Sequence, residues 1–159
     1  MDNNDILIRL RYALELKNKE MAEIFQLGGE ELSVPEVIKI LTKSDAEEEQ
    51  IRCDNNMLDA FLNGLIIYKR GKQDSQPNKP DSSIHSMKKH SNNLLLKKVK
   101  IALAFTTEEM LEIFESAGIT VSKGELGAFL RKEGHKNYKE CGDKYARNFL
   151  KGLAIKYRG

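Results

Sequence analysis

Tryptophan is absent from this 159-residue chain, cysteine occurs twice and proline three times. Cys53 and Cys141 stand alone, outside any Cys-x-x-Cys pair, so neither a structural zinc site, a redox dithiol nor a disulfide framework is expected. With only Pro35, Pro77 and Pro80 to interrupt it, the chain is open to long helices. The longest apolar stretches, such as Leu65-Ile66-Ile67, fall far short of the roughly 20 residues that cross a bilayer, and no membrane partner is expected. The start, Met1-Asp2-Asn3-Asn4-Asp5, is acidic and polar where a secretory signal would be basic and then apolar, so the cytoplasm is the expected location. Motifs of enzyme chemistry are also missing. There is no glycine-rich phosphate loop, no Gly-x-Ser-x-Gly elbow and no His-Glu-x-x-His. No metal, cofactor or catalytic residue is assigned.

What the chain does have is an internal repeat. At an offset of 89, Asn3-Asn4 falls on Asn92-Asn93, Ala13-Leu14 on Ala102-Leu103 and Met21 on Met110. Glu23-Ile24-Phe25 falls on Glu112-Ile113-Phe114, Gly29 on Gly118, and Ser33 and Glu36 on Ser122 and Glu125. After one lost residue the offset becomes 88. Cys53 then meets Cys141, Phe61-Leu62 meets Phe149-Leu150, Gly64-Leu65 meets Gly152-Leu153 and Arg70-Gly71 meets Arg158-Gly159. Colinear matches with a single gap mark a duplication: a first unit over 1–72 and a second over 91–159. Residues 73–90 between them hold two of the three prolines amid Gln, Asn, Asp and Ser, the composition of a flexible linker. With 40% hydrophobic and 31% charged residues, the units should fold and carry a highly charged surface.

Each unit reads as four helices. Ile6, Leu10, Ala13 and Leu14 share one face of a helix over about 4–16, as do Leu95, Val99, Ala102 and Leu103 in the second copy. Met21, Ile24 and Phe25 mark the second helix, and Thr106 with Glu109 forms a capping box for its counterpart. Ser33 with Glu36, and Ser122 with Glu125, announce the third helix, and Pro35 suits a first turn. The fourth starts near Asp54 or Gly142 and carries Phe61, Leu62 and Leu65, or Phe149, Leu150 and Leu153. Gly64 and Gly152 lie inside that helix, where glycine costs about 0.8–1 kcal/mol against alanine. Their presence in both copies points to close helix packing. The expected fold is all-α: two tandem four-helix units with helix-turn-helix-like corners, packed as a pseudo-symmetric pair.

Several strings are more specific than helix filler: Asn3-Asn4-Asp5-Ile6-Leu7 with Arg9-Leu10-Arg11-Tyr12-Ala13-Leu14, Phe61-Leu62-Asn63-Gly64-Leu65-Ile66-Ile67, and Gly134-His135-Lys136-Asn137-Tyr138 with Glu140-Cys141-Gly142-Asp143. In these the chain resembles the YehS-like proteins, small bacterial proteins with a tandem pair of a domain of unknown function. The likeness covers both units. It implies the tandem arrangement and brings no activity, cofactor or catalytic residue with it. The units differ where Asp45-Ala46-Glu47-Glu48-Glu49-Gln50 stands in the first and Gly134-His135-Lys136-Asn137-Tyr138 in the second.

Charge separates the units as well. Residues 1–72 hold 10 Lys+Arg against 14 Asp+Glu, a net of −4, whereas 91–159 hold 13 against 8, a net of +5. A total of +2 therefore hides an acidic first unit and a basic second one. In the second, Arg131, Lys132, Lys136, Lys139, Lys144, Arg147, Lys151, Lys156 and Arg158 are interleaved with Tyr138, Tyr145 and Tyr157. Lysine and arginine neutralise phosphates, and tyrosine stacks on bases or donates to phosphate. A solvated lysine face, with Lys156 and Arg158 satisfying a helix C-terminus, accounts for the same residues. A Cys141–His135 nucleophile pair is the one enzymatic arrangement on offer. The first unit keeps the cysteine without the histidine, which favours a small packed cysteine instead. The sequence thus suggests a non-enzymatic binding protein. Its first candidate ligand is nucleic acid, held weakly through Arg131, Lys132, Lys136, Lys139, Lys144, Arg147 and Lys151. The competing reading is a protein-interaction module that binds a partner or a second copy through the acidic first unit and the glycine-bearing last helices.

Overall fold

A computed structural model describes residues 2–42, 51–71, 91–131 and 135–158. The expected linker over 73–90, the acidic loop over 45–50 and Lys132 lie outside them. Among the described residues there are eight α-helices and no strand. The first unit holds α1 (Asn3–Ala13), α2 (Asn18–Leu27), α3 (Val34–Leu41) and α4 (Asn55–Arg70). The second holds α5 (Ser91–Ala102), α6 (Thr107–Ser116), α7 (Lys123–Leu130) and α8 (Asp143–Arg158).

Side chains start these helices by satisfying amides that have no partner in the first turn. Ser33 Oγ accepts from the Glu36 amide at 3.3 Å, and Glu36 accepts from the Ser33 amide at 3.0 Å. Thr106 and Glu109 make the same exchange at 3.1 and 2.9 Å. A capping box missed in the sequence opens α1, where Asp2 and Asp5 bond each other's amides. The box expected at Ser122 is only half formed. Ser122 Oγ accepts from the Glu125 amide at 3.0 Å, but the Glu125 carboxylate turns away to Lys139 and Tyr145 at 3.1 and 3.2 Å. A cationic partner and a phenol there outbid a single amide.

The first helix ends at Ala13, before the expected Leu16. Glu15 and its counterpart Ala104 then take φ of 53° and 55°, the left-handed region, which turns the chain out of the helix.

The units do not sit apart. Within each unit α2 packs on α4 and α6 on α8, while across units α1 lies against α8 and α4 against α5. The two cross-unit seams are the same contact made twice, as the duplication requires of a pseudo-symmetric pair. One continuous apolar core results, running from Ile6 and Leu10 through Leu65, Leu95 and Val99 to Leu153. Phe25–Phe61 and their counterparts Phe114–Phe149 are tilted ring pairs with centroids 5.0 and 5.5 Å apart.

Gly64 and Gly152 face inward within their own units. A Cβ on Gly64 would collide with the Ile24 carbonyl oxygen on α2, and one on Gly152 with that of Ile113 on α6. This face is taken up by intra-unit packing, the close helix approach that the repeated glycines suggested.

Candidate nucleic-acid interface

The segments before α4 and α8 are held by a pair of buried asparagines. Asn4 Nδ2 donates to the carbonyls of Ile40 and Ile51 at 2.9 and 2.8 Å, and its Oδ1 accepts from the Cys53 amide at 2.9 Å. Asn93 repeats this with Phe129, Lys139 and the Cys141 amide at 3.0, 2.8 and 2.8 Å. Each amide ties the C-terminal end of the third helix to the entry of the fourth. In the second unit this fixes the basic stretch 135–141 against the start of α8. Asn4 and Asn93 stood out in the sequence only as matched letters. A polar residue on an otherwise apolar helix face, at the same place in both copies, was the signal that could have found them.

On α8, Lys144, Arg147 and Lys151 are exposed and spaced three and four residues apart, so they form one stripe along the helix. Lys136 is exposed on the turn between α7 and α8, and Arg131 is exposed at the end of α7. Lys139 is different. Its ammonium is paired with Glu125 at 3.1 Å and lies over the Phe129 ring, so it is not a free cation for phosphate. Lys156 sits over the Phe105 ring. Arg158 stacks on Tyr12, 4.2 Å from its centroid, donates to the Tyr12 carbonyl and pairs with Glu15 across the seam. Tyr145 packs on Phe129 and donates to Glu125, which takes it out of any stacking platform.

The helix-turn-helix outline is present as α6, a connection over 117–122, and α7. The connection is longer than the usual 3–4 residues. The exposed start of α7 offers Lys123, paired with Glu108 at 3.5 Å, and Gly124, with Gly127 facing open space further on. These have little with which to read base edges.

Cys141 and His135 are given separate surroundings. Cys141 is 2% exposed, and burial, followed by the charges of Asp143, Glu125 and Glu140, pushes its thiol up to about 12. Cys53 is raised to about 12 in the same way, first by burial and then by Asp54. His135 is exposed and accepts from the Asn137 amide through Nδ1 at 3.0 Å. Among the described residues no group of three or more His, Cys, Asp or Glu could hold a metal ion, and no helix is long and apolar enough to cross a membrane.

Comparison with known proteins finds one family profile, described as "Protein of unknown function (DUF1456)", that matches residues 3–71 and again 92–159. Among relatives, the chain is 39% identical over 156 residues to the uncharacterized protein YehS of Escherichia coli (strain K12), covering 98% of this chain and 96% of the relative. No solved structure matches it significantly.

Proposed function

This chain belongs to the DUF1456 family of proteins of unknown function, and we propose that it is a non-enzymatic binding protein whose basic second unit makes weak, phosphate-directed contacts with nucleic acid. The observation that carries the reading is the exposed stripe of Lys144, Arg147 and Lys151 along one helix, with Lys136 on the turn before it. Cations 3–4 residues apart on a helix track successive phosphates without reading bases. The poor side-chain chemistry at the start of α7 argues for binding that is independent of sequence.

The test is fluorescence anisotropy of a labelled duplex with the full chain over a salt series. With about four phosphates neutralised, log affinity should fall against log salt with a slope of roughly −3 to −4. Replacing Lys144, Arg147 and Lys151 with Ala should flatten the slope and leave the helical circular dichroism intact. No binding at low salt, or binding indifferent to those three residues, would overturn the reading. The protein-interaction module would then be favoured, because Leu27, Val34 and Ile38 of the acidic unit are exposed apolar side chains.

A further inference from the structure

The two seams between the units are the same contact made twice, yet they carry different side chains. In the α4·α5 seam, Lys98 Nζ donates to Asn63 Oδ1 at 2.7 Å and lies 4.0 Å from Asp59 Oδ1. Asn63 Nδ2 donates to the same carboxylate at 3.1 Å, which closes a neutral and largely buried triad. The α1·α8 seam keeps the register. Arg70 donates to the Ile101 carbonyl at 3.1 Å, and its counterpart Arg158 donates to the Tyr12 carbonyl at 3.2 Å. The repeat offsets of 88 and 89 therefore carry Asp59 onto Arg147, Asn63 onto Lys151 and Lys98 onto Arg9. Where one seam has a cation, an amide and a carboxylate, the other has three cations, all exposed.

Two carboxylates border these cations. Asp5, one turn before Arg9, accepts from the Asp2 amide, and Asp143, one turn before Arg147, accepts from Asn92 at 2.9 Å and also attracts Arg147, so three cations face two anions. Among the described residues no carboxylate oxygen lies within 4.0 Å of the charged groups of Arg9, Arg147 or Lys151. Like charges gathered in one register repel, and a polyoxyanion relieves the repulsion while accepting forked hydrogen bonds from guanidinium groups.

We propose that the α1·α8 seam is a polyoxyanion site in which Arg9 of the first unit joins Arg147 and Lys151 of the second to hold adjacent linked phosphates, as along a nucleic-acid backbone. The inference rests on the phosphate-directed reading above and adds the first unit to it: the site exists only where both units meet. Two measurements on the full chain test it, thermal unfolding with pyrophosphate against chloride at equal ionic strength, and duplex anisotropy over a salt series. Pyrophosphate at about ten times its Kd should raise Tm by roughly 3–6 °C. Arg9→Gln should remove that shift and reduce the salt slope of duplex binding by about 1. The double variant Arg147→Asp/Lys151→Asn, which copies the other seam, should fold and lose the shift as well. A wild-type protein that ignores pyrophosphate, or an Arg9→Gln variant that responds in full, overturns the seam site. Duplex binding whose slope is unchanged by Arg9→Gln overturns the seam site and leaves the proposed function standing. A pyrophosphate shift without duplex binding overturns the proposed function and leaves the seam site standing.

Discussion

Replacing Asn93 by Leu keeps the branching of the side chain and removes its hydrogen bonds. Three backbone groups then lose this partner: the buried carbonyl of Phe129 and amide of Cys141, and the part-buried carbonyl of Lys139. At about 1–1.5 kcal/mol for each bond lost, the destabilisation is roughly 3–5 kcal/mol. That is a large part of the roughly 5–15 kcal/mol that holds a domain folded. In a chain of this size it lowers Tm by roughly 6–20 °C. Asn93→Asp discriminates further. One carboxylate oxygen can still accept from Cys141, but the other faces two carbonyl oxygens, so the folded-state pKa of the new acid lies above its unfolded value of about 3.9. Its penalty is full above the folded pKa and is relieved as pH falls through it, when the protonated acid donates to one carbonyl. Urea unfolding followed by circular dichroism, repeated from pH 7 down to pH 4, reads both effects. A loss below about 1 kcal/mol for Asn93→Leu, or an Asn93→Asp deficit that does not shrink on acidification, would refute this account of the asparagine.

Gly64→Ala and Gly152→Ala should each destabilise by roughly 1–3 kcal/mol, although alanine is the better helix former, because the new methyl group meets a backbone carbonyl that moves only if the helices separate. A gain in Tm from either variant would show that the helices can part freely. Glu36 and Glu109 have carboxyls held below the ordinary value of 4.5, first by the Ser33 and Thr106 amides and then by the hydroxyls of those residues. Lowered folded-state values mean that their contribution is present above 4.5 and lost as pH falls through the folded pKa. The double variant Glu36→Gln/Glu109→Gln keeps the capping geometry without the titration, so the fall in its urea midpoint between pH 5 and pH 3 should be shallower than in the wild type. Equal slopes would remove these carboxylates from the acid response.

The duplication, the number and order of helices and the buried faces were all legible in the letters, because helical periodicity and capping residues act over a few positions. Ser33 with Glu36 and Thr106 with Glu109 needed only each other. Glu125 shows the limit of that reasoning. Its local partner Ser122 was readable, but Lys139 and Tyr145, brought in from 14 and 20 residues away, capture the carboxylate. The glycines lie between. Their repetition announced close packing, and only the folded chain names the Ile24 and Ile113 carbonyls as the surfaces approached. Which helix lies against which was out of reach, because an apolar stripe on α1 specifies burial without specifying a partner, and α4 and α8 offer it nearly the same face. Tertiary packing chose α8 for α1 and α4 for α5. That choice joins the two units into one core and brings the helix of Arg9 against the helix of Arg147 and Lys151, residues 138 and 142 positions further along the chain. The charges themselves are written in the sequence. Their meeting depends on which of two look-alike helices wins the contact, and that competition is decided only when the whole core is packed.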